Sequence, residues 1–138
     1  VLPMNAKQIT DALVEALIKA KVANRKDVYA GRITPDKLRN NLWSVTLLGG
    51  NTEGGNIAQC RIRYQVRIAG YDVNAEKLYG KDDRVHQALV SLLKDPHVIN
   101  FTLSPLSDMD VVGAEQRGVQ WVCEILTYAP GWLEQGGK

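Results

Sequence analysis

The chain has 138 residues, of which 45% are hydrophobic and 23% are charged, so it is long enough to bury one core and too apolar to be disordered. Its 17 basic and 15 acidic residues leave a formal charge of +2, which excludes a strongly basic dedicated nucleic-acid binder and restricts any DNA contact to a local patch. We therefore expect one domain over residues 1–138, with loose termini.

The apolar residues are too dispersed for a membrane span, since a spanning helix needs a continuous apolar run of about 18 residues or more. Residues 1–8 also lack the basic, apolar and small-residue zones of a signal peptide. We expect a protein of the cytosol with no membrane partner. Cys60 and Cys123 fall on the apolar phase of predicted strands, so both are expected to be buried free thiols rather than a disulfide.

The first predicted element is an amphipathic helix that starts after Asn5. Asn5 is a suitable N-cap, and Gln8 occupies the third helical position of a capping box. Apolar residues then recur at helical spacing to Ala20. The following polar segment, residues 22–41, is longer than an ordinary connection and is therefore a candidate contact surface.

Two strands and a second helix follow. Residues 42–48 and 60–68 alternate apolar and polar side chains on either side of a loop rich in Gly and Asn, which predicts a long β-hairpin. A helix with a buried stripe from Val85 to Leu93 ends at Asp95 and Pro96. Gly80 indicates that residues 75–80 form a separate turn before that helix.

The last part of the chain predicts two more strands. Ile99, Phe101 and Leu103 share one phase, and after the polar loop 104–118 the residues 119–125 alternate in the same way. The order is α-β-β-α-β-β. It predicts an α+β fold with a mainly antiparallel four-stranded sheet and two helices packed on one face.

The strand "CRIRYQVRI" is the most unusual feature, because it places Arg61, Arg63 and Arg67 on one face over roughly 20 Å. That face is either solvated, with Glu124 as a cross-strand partner, or an interface. The outward phase of the last strand favours an interface, because it mixes Glu124 with apolar and aromatic side chains. The candidate subunit or channel residues are Arg61, Arg63, Arg67, Glu124, Leu126 and Tyr128.

The sequence holds no recognisable catalytic, cofactor or metal motif. The run "GGNTEGGN" lacks the Lys-Ser/Thr ending of a phosphate-binding loop, and the histidines and cysteines lack zinc spacing. No signature surrounds a candidate nucleophile. We therefore expect a protein that is not an enzyme and binds no cofactor. The weakest alternative is a Mg²⁺-dependent hydrolase that uses Asp108, Asp110 and Glu115.

Several motifs together resemble the tail terminator, or tail-completion, proteins of long-tailed bacteriophages, the lambda minor tail protein U-like family. They are the helix "ITDALVEALIKA", the segments "VYAGR" and "WSVTLLGG", the strand "CRIRYQVRI", the helix end "VSLLKDPHV" and the closing strand "WVCEILTY". The resemblance covers residues 5–129 and rests on pattern and order.

This resemblance implies a structural virion protein that caps the tail tube as a hexameric ring, ends tail polymerisation and forms the head-tail joining surface. Its partners would be the tail-tube protein, the head-tail connector protein and DNA passing through the ring. It would be assembled in the host cytoplasm and reside in the tail-neck region. The loops that would contact the tube or connector contain Arg32, Asn51, Glu53, Asp108, Asp110 and Arg117.

The alternative from another functional class is a small nucleic-acid-binding module that uses the arginine row as a phosphate track. It lacks an aromatic platform for stacking bases, because Tyr64 lies on the opposite phase of the strand. The subunit interface is therefore the favoured interpretation of the arginine face.

Overall fold

The structure, a computed structural model, describes residues 5–54 and 61–128. Cys60 and the last part of the predicted hairpin loop lie outside these residues. The two chain ends, which we expected to be loose, lie outside them as well. The helices are α1 (Ala6–Lys19), α2 (Ala75–Tyr79) and α3 (Asp82–Leu92). The strands are β1 (Val28–Ala30), β2 (Leu42–Glu53), β3 (Arg61–Asp72), β4 (Val98–Leu103), β5 (Ser107–Met109) and β6 (Arg117–Tyr128).

Helix α1 begins with the capping box that the sequence predicts. The side chain of Asn5 accepts a hydrogen bond from the backbone N–H of Gln8 at 2.9 Å, and the Gln8 side chain accepts one from the Asn5 N–H at 2.8 Å. Two backbone donors that have no partner within the helix are thereby satisfied. Ile9, Leu13 and Leu17 on the apolar face are fully buried.

The prediction of a mainly antiparallel four-stranded sheet is wrong. The described residues form a mixed six-stranded sheet in the order β1-β2-β3-β6-β4, with β5 also paired to β6. Strand β1 runs parallel to β2, and the other pairs are antiparallel. Strands β4 and β5 lie one after the other along the same edge of β6, separated by Ser104–Leu106.

Hydrophobic alternation could not identify β1 or β5, because each has only three residues and β5 is largely polar. Backbone pairing to a long neighbouring strand holds them in place. The separate turn that Gly80 indicated is confirmed as the short helix α2, which ends at Tyr79. Within the described residues, no helix has the length and apolar character needed to cross a membrane.

The main core lies between one face of the sheet and helices α1 and α3. At its centre the rings of Trp43 and Trp121 stack with centroids 5.8 Å apart and planes inclined by 24°. The indole N–H of Trp121 donates a hydrogen bond of 2.7 Å to the carboxylate of Asp82 in the first turn of α3. This bond satisfies the only polar atom of a fully buried side chain and fixes the start of α3 against the sheet.

A second, smaller core covers part of the opposite face of the sheet, which we call the outer face. Leu42, Ala69 and Tyr71 are buried there beneath partly buried residues of two connecting segments, namely Ile33, Leu38, Met109 and Val111. The connection 22–41, which the sequence left without regular structure, thus folds over the sheet after β1. One end of the outer face is therefore covered by the chain itself.

Candidate interface on the outer face of the sheet

The arginine strand β3 lies in the middle of the sheet, between β2 and β6. Arg61 is opposite Tyr128 at one end of β3, and Asp72 is opposite Arg117 at the other end. The second core covers the Asp72 end. The three arginines of the outer face consequently lie in different surroundings, although their spacing in the sequence is regular.

Arg63 is held between two carboxylates on the neighbouring strands. Its Nε donates a hydrogen bond of 2.9 Å to Glu53 on β2, and its Nη1 lies 3.5 Å from a carboxylate oxygen of Glu124 on β6. The hydrogen bond to Glu53 is the largest cause that raises the pKa of the Arg63 guanidinium, and the nearby Glu124 adds to it. Arg63 is therefore a fixed cross-link over three strands.

Aromatic and aliphatic side chains adjoin this cross-link. The guanidinium of Arg61 lies over the ring of Tyr128, 5.2 Å from its centroid, which is a cation–π geometry. Tyr128 is 50% exposed although it is a large aromatic residue. Leu126 is directly opposite Arg63 on β6, and Asn51 is opposite Arg63 on β2. We call this group the ladder patch; it consists of Asn51, Glu53, Arg61, Arg63, Glu124, Leu126 and Tyr128.

Two further apolar side chains are exposed on β2. Leu47 and Leu48 are 38% and 42% exposed, at the irregularity in the pairing of β2 with β3. Their pattern in the sequence does not mark them as site residues, because Leu47 shares the phase of the buried Trp43 and Val45.

Arg67 is in a different environment from Arg61 and Arg63. It lines a cavity of about 270 Å³ on the outer face, together with Arg32 from the connection after β1. The sequence assigned these two arginines to separate surfaces, and the structure brings them together. Ser44 and Thr46, which also line this cavity, were not selected, although their phase on β2 is opposite to that of Trp43 and Val45.

The remaining predicted contact residues, Asp108, Asp110 and Arg117, line a separate cavity of about 410 Å³ at the other end of the sheet. There the hydroxyl of Tyr79 donates a hydrogen bond of 2.7 Å to Asp108, and this contact raises the pKa of the phenol. Glu115 lines the same cavity. Even so, residues 5–54 and 61–128 contain no group of three His, Cys, Asp or Glu side chains arranged to hold a metal ion.

No protein-family model matches the chain, and no curated protein matches it. Among solved structures, a chain from the structure titled "Virion of native gene transfer agent (GTA) particle" is similar, with 12% sequence identity and a TM-score of 0.47. The match covers 86% of this chain and 96% of that one. A similarity of this degree assigns no function.

Proposed function

We propose that this chain is a structural virion protein of a long-tailed phage or phage-like particle, without catalytic activity. It caps the tail tube as a ring, ends polymerisation of the tail and presents the surface to which the head-side connector joins. The ring is a hexamer, and DNA passes through its lumen. The order and character of the long elements α1, β2, β3, α3, β4 and β6 support this proposal, because they carry the motifs that resemble tail terminators.

The ladder patch is the observation that carries the proposal. Its two arginines, Arg61 and Arg63, are balanced in number by Glu53 and Glu124, so the patch has no net charge. Tyr128 is half exposed beside them. Arginine and tyrosine among aliphatic side chains are typical of the centre of a protein interface, where aromatic residues and arginine are enriched.

The sheet also offers two unlike edges for ring closure. Beyond Val45, the edge of β2 has no strand partner among the described residues, because β1 pairs only with residues 43–45. Strand β4 is the other edge of the sheet. A closed ring requires head-to-tail contacts between two different surfaces of each subunit. An open strand edge on each side of one sheet meets that requirement, since strand edges associate through their free backbone groups.

The charges of the ladder patch disfavour the nucleic-acid-binding alternative. A phosphate track requires uncompensated cations along its length. Arg63 instead contacts both Glu53 and Glu124, and a phosphate that approached it would meet two carboxylates. The arginine row that suggested such a track from the sequence is interrupted at its centre.

The proposal is tested by the oligomeric state of the purified protein and by its binding to tail tubes. Light scattering coupled to size-exclusion chromatography and negative-stain imaging should show rings, either in solution or at the ends of tubes assembled without a terminator. Addition of the protein during tube assembly should also limit tube length. A strictly monomeric protein at high concentration that neither binds tube ends nor changes tube length would contradict the proposal.

A further inference from the structure

The cavity shared by Arg32 and Arg67, which we call the arginine cavity, has an unusual charge environment. Its lining residues are Arg32, Ile33, Ser44, Thr46, Arg67 and Tyr71. Two of the six are cations and none is an acid. Within the described residues, neither Arg32 nor Arg67 forms an ion pair or a side-chain hydrogen bond, whereas Arg25, Arg39 and Arg63 each contact a carboxylate.

The Nε group of Arg67 is buried and has no hydrogen-bond partner in the described part of the chain. A buried donor without a partner is destabilising, and native proteins satisfy nearly all such groups with protein atoms, water or a ligand. The charge on this guanidinium makes the missing contact more costly than that of a neutral donor. An anion in the cavity would balance the charge of this guanidinium, for which the described residues supply no ion-pair partner.

The rest of the cavity is suited to a small anion. Ser44, a hydroxyl donor, is only 2% exposed and Tyr71, a phenol, is 7% exposed, so both belong to the walls rather than to the rim. Thr46 donates its hydroxyl hydrogen to the backbone carbonyl of Gly31 at 3.2 Å, which fixes the start of the segment that carries Arg32. The second core anchors the same segment through Ile33. The two arginines are therefore attached to positions that the fold holds rigidly.

We propose that the arginine cavity is a binding site for a tetrahedral dianionic oxyanion of the phosphate type, free or as a phosphate monoester. Two guanidinium groups match the two charges of the dianion, and arginine presents paired N–H donors that fit phosphate oxygens. The hydroxyl groups of Ser44 and Tyr71 supply further donors. At about 270 Å³ the cavity holds a compact group and is smaller than the usual range of sites for drug-sized ligands.

Burial of the walls distinguishes this site from a surface for duplex DNA. The donors of Ser44 and Tyr71 are accessible only to a group that enters the cavity, and the phosphodiesters of a duplex lie on a convex backbone. Of the two arginines that line the cavity, Arg32 is the exposed one and is therefore the one that a duplex would meet first. The proposal is independent of the ring-forming role, because it concerns a pocket and not the ladder patch.

Calorimetric titration of the full chain with inorganic phosphate, at constant ionic strength in chloride buffer, tests the proposal. One phosphate is expected to bind per chain, more tightly than acetate, and phenyl phosphate is expected to compete. Arg32→Gln and Arg67→Gln should each weaken binding by about tenfold or more, as expected for loss of a hydrogen bond between charged groups. The matched control, Arg61→Gln, removes an arginine of the same strand outside the cavity and should leave the affinity unchanged.

Arg32→Gln is the decisive variant, because its exposed side chain contributes little to folding, whereas Arg67→Gln could also affect stability. Absence of phosphate binding by the wild-type chain would overturn the proposal. Equal affinity for acetate and phosphate, or equal weakening by Arg61→Gln and Arg32→Gln, would overturn it as well. Binding of a short DNA duplex that depends on Arg32 and Arg67, without binding of free phosphate, would assign the cavity to DNA instead.

Discussion

Arg63 on β3 donates a hydrogen bond of 2.9 Å from its Nε to the carboxylate of Glu53 on β2. The same guanidinium lies 3.5 Å from Glu124 on β6, so one side chain connects three strands of the outer face. Both carboxylate side chains are about two-fifths exposed, and the group is therefore accessible to a neighbouring subunit.

Charge reversal at Arg63 should impair ring assembly or binding to tube ends. In Arg63→Glu three carboxylates meet on adjacent strands, and their repulsion alters the patch that we propose as the interface. We expect the secondary structure to persist, because ion pairs at exposed surfaces contribute little to stability. Circular dichroism and light scattering check the two expectations. The control is Lys94→Glu, an exposed reversal just after α3 and outside every proposed contact surface; equal loss of assembly in both variants would contradict an interface at the ladder patch.

Gly70 lies against the tryptophan pair, and its replacement by alanine should destabilise the protein. An added Cβ would lie 2.8 Å and 2.9 Å from two ring atoms of Trp43 and 3.1 Å from a methyl group of Leu78. Overpacking of this kind costs about 1–3 kcal/mol. Denaturant unfolding of Gly70→Ala measures the loss. In Gly80→Ala the atom nearest to the added Cβ is the backbone oxygen of Lys77, 3.6 Å away. That variant should therefore be as stable as the wild type or slightly more stable.

Leu42 tests the second core. It is 1% exposed and packs with Ala69 and Tyr71 on the outer face. Leu42→Ala should lower the free energy of unfolding by about 2–5 kcal/mol through loss of buried area and formation of a cavity. Leu48→Ala, at a site that is 42% exposed, should change it by less than about 0.5 kcal/mol. Similar unfolding midpoints for the two variants would show that the outer face is not packed at this end.

The capping box of α1 provides a local test. Asn5→Ala removes the side-chain acceptor of the Gln8 N–H and keeps the backbone N–H that donates to the Gln8 side chain, and it should cost about 1 kcal/mol. Asn5→Ser retains an acceptor for the Gln8 N–H and should preserve most of the stability. Thermal and denaturant unfolding of the pair measure the difference. Identical stability of the alanine and serine variants would indicate that the first turn of α1 contributes nothing to the folding equilibrium.

Cys123 should be chemically inert in the folded protein. Burial raises the pKa of its thiol to about 12, so almost no thiolate exists at pH 8. In a Cys60→Ser background, the thiol reagent DTNB should react with Cys123 only after unfolding. Because the folded pKa is raised, this group stabilises the fold fully below the unfolded pKa of about 8.5 and loses its contribution as pH rises towards 12. Rapid labelling of the native protein at pH 8 would contradict the burial.

Local patterns in the sequence predicted the type and order of the long elements. Strands β2 and β3 extend beyond the predicted strands, to Glu53 and Asp72, and Leu93 of the predicted buried stripe is 46% exposed. The capping pair Asn5 and Gln8, the helical stripe of α3 and the alternation of β3 and β6 are short-range features, and their physical causes lie within a few residues. The two cysteines show the limit of this information: Cys123 is buried as predicted, whereas Cys60 lies outside the described residues.

The tertiary structure alone decided which residues share a surface. The sequence specified that Arg61, Arg63 and Arg67 occupy one phase of a strand, and it could not specify the register that sets Glu53 beside Arg63. The sequence also could not show that the connection after β1 folds over the sheet and brings Arg32 to the cavity that Arg67 lines. These two residues are 35 positions apart in the chain. Alternation follows from the geometry of a single strand. Pairing partners and the covering of a sheet face depend on packing between distant segments, which local patterns do not encode.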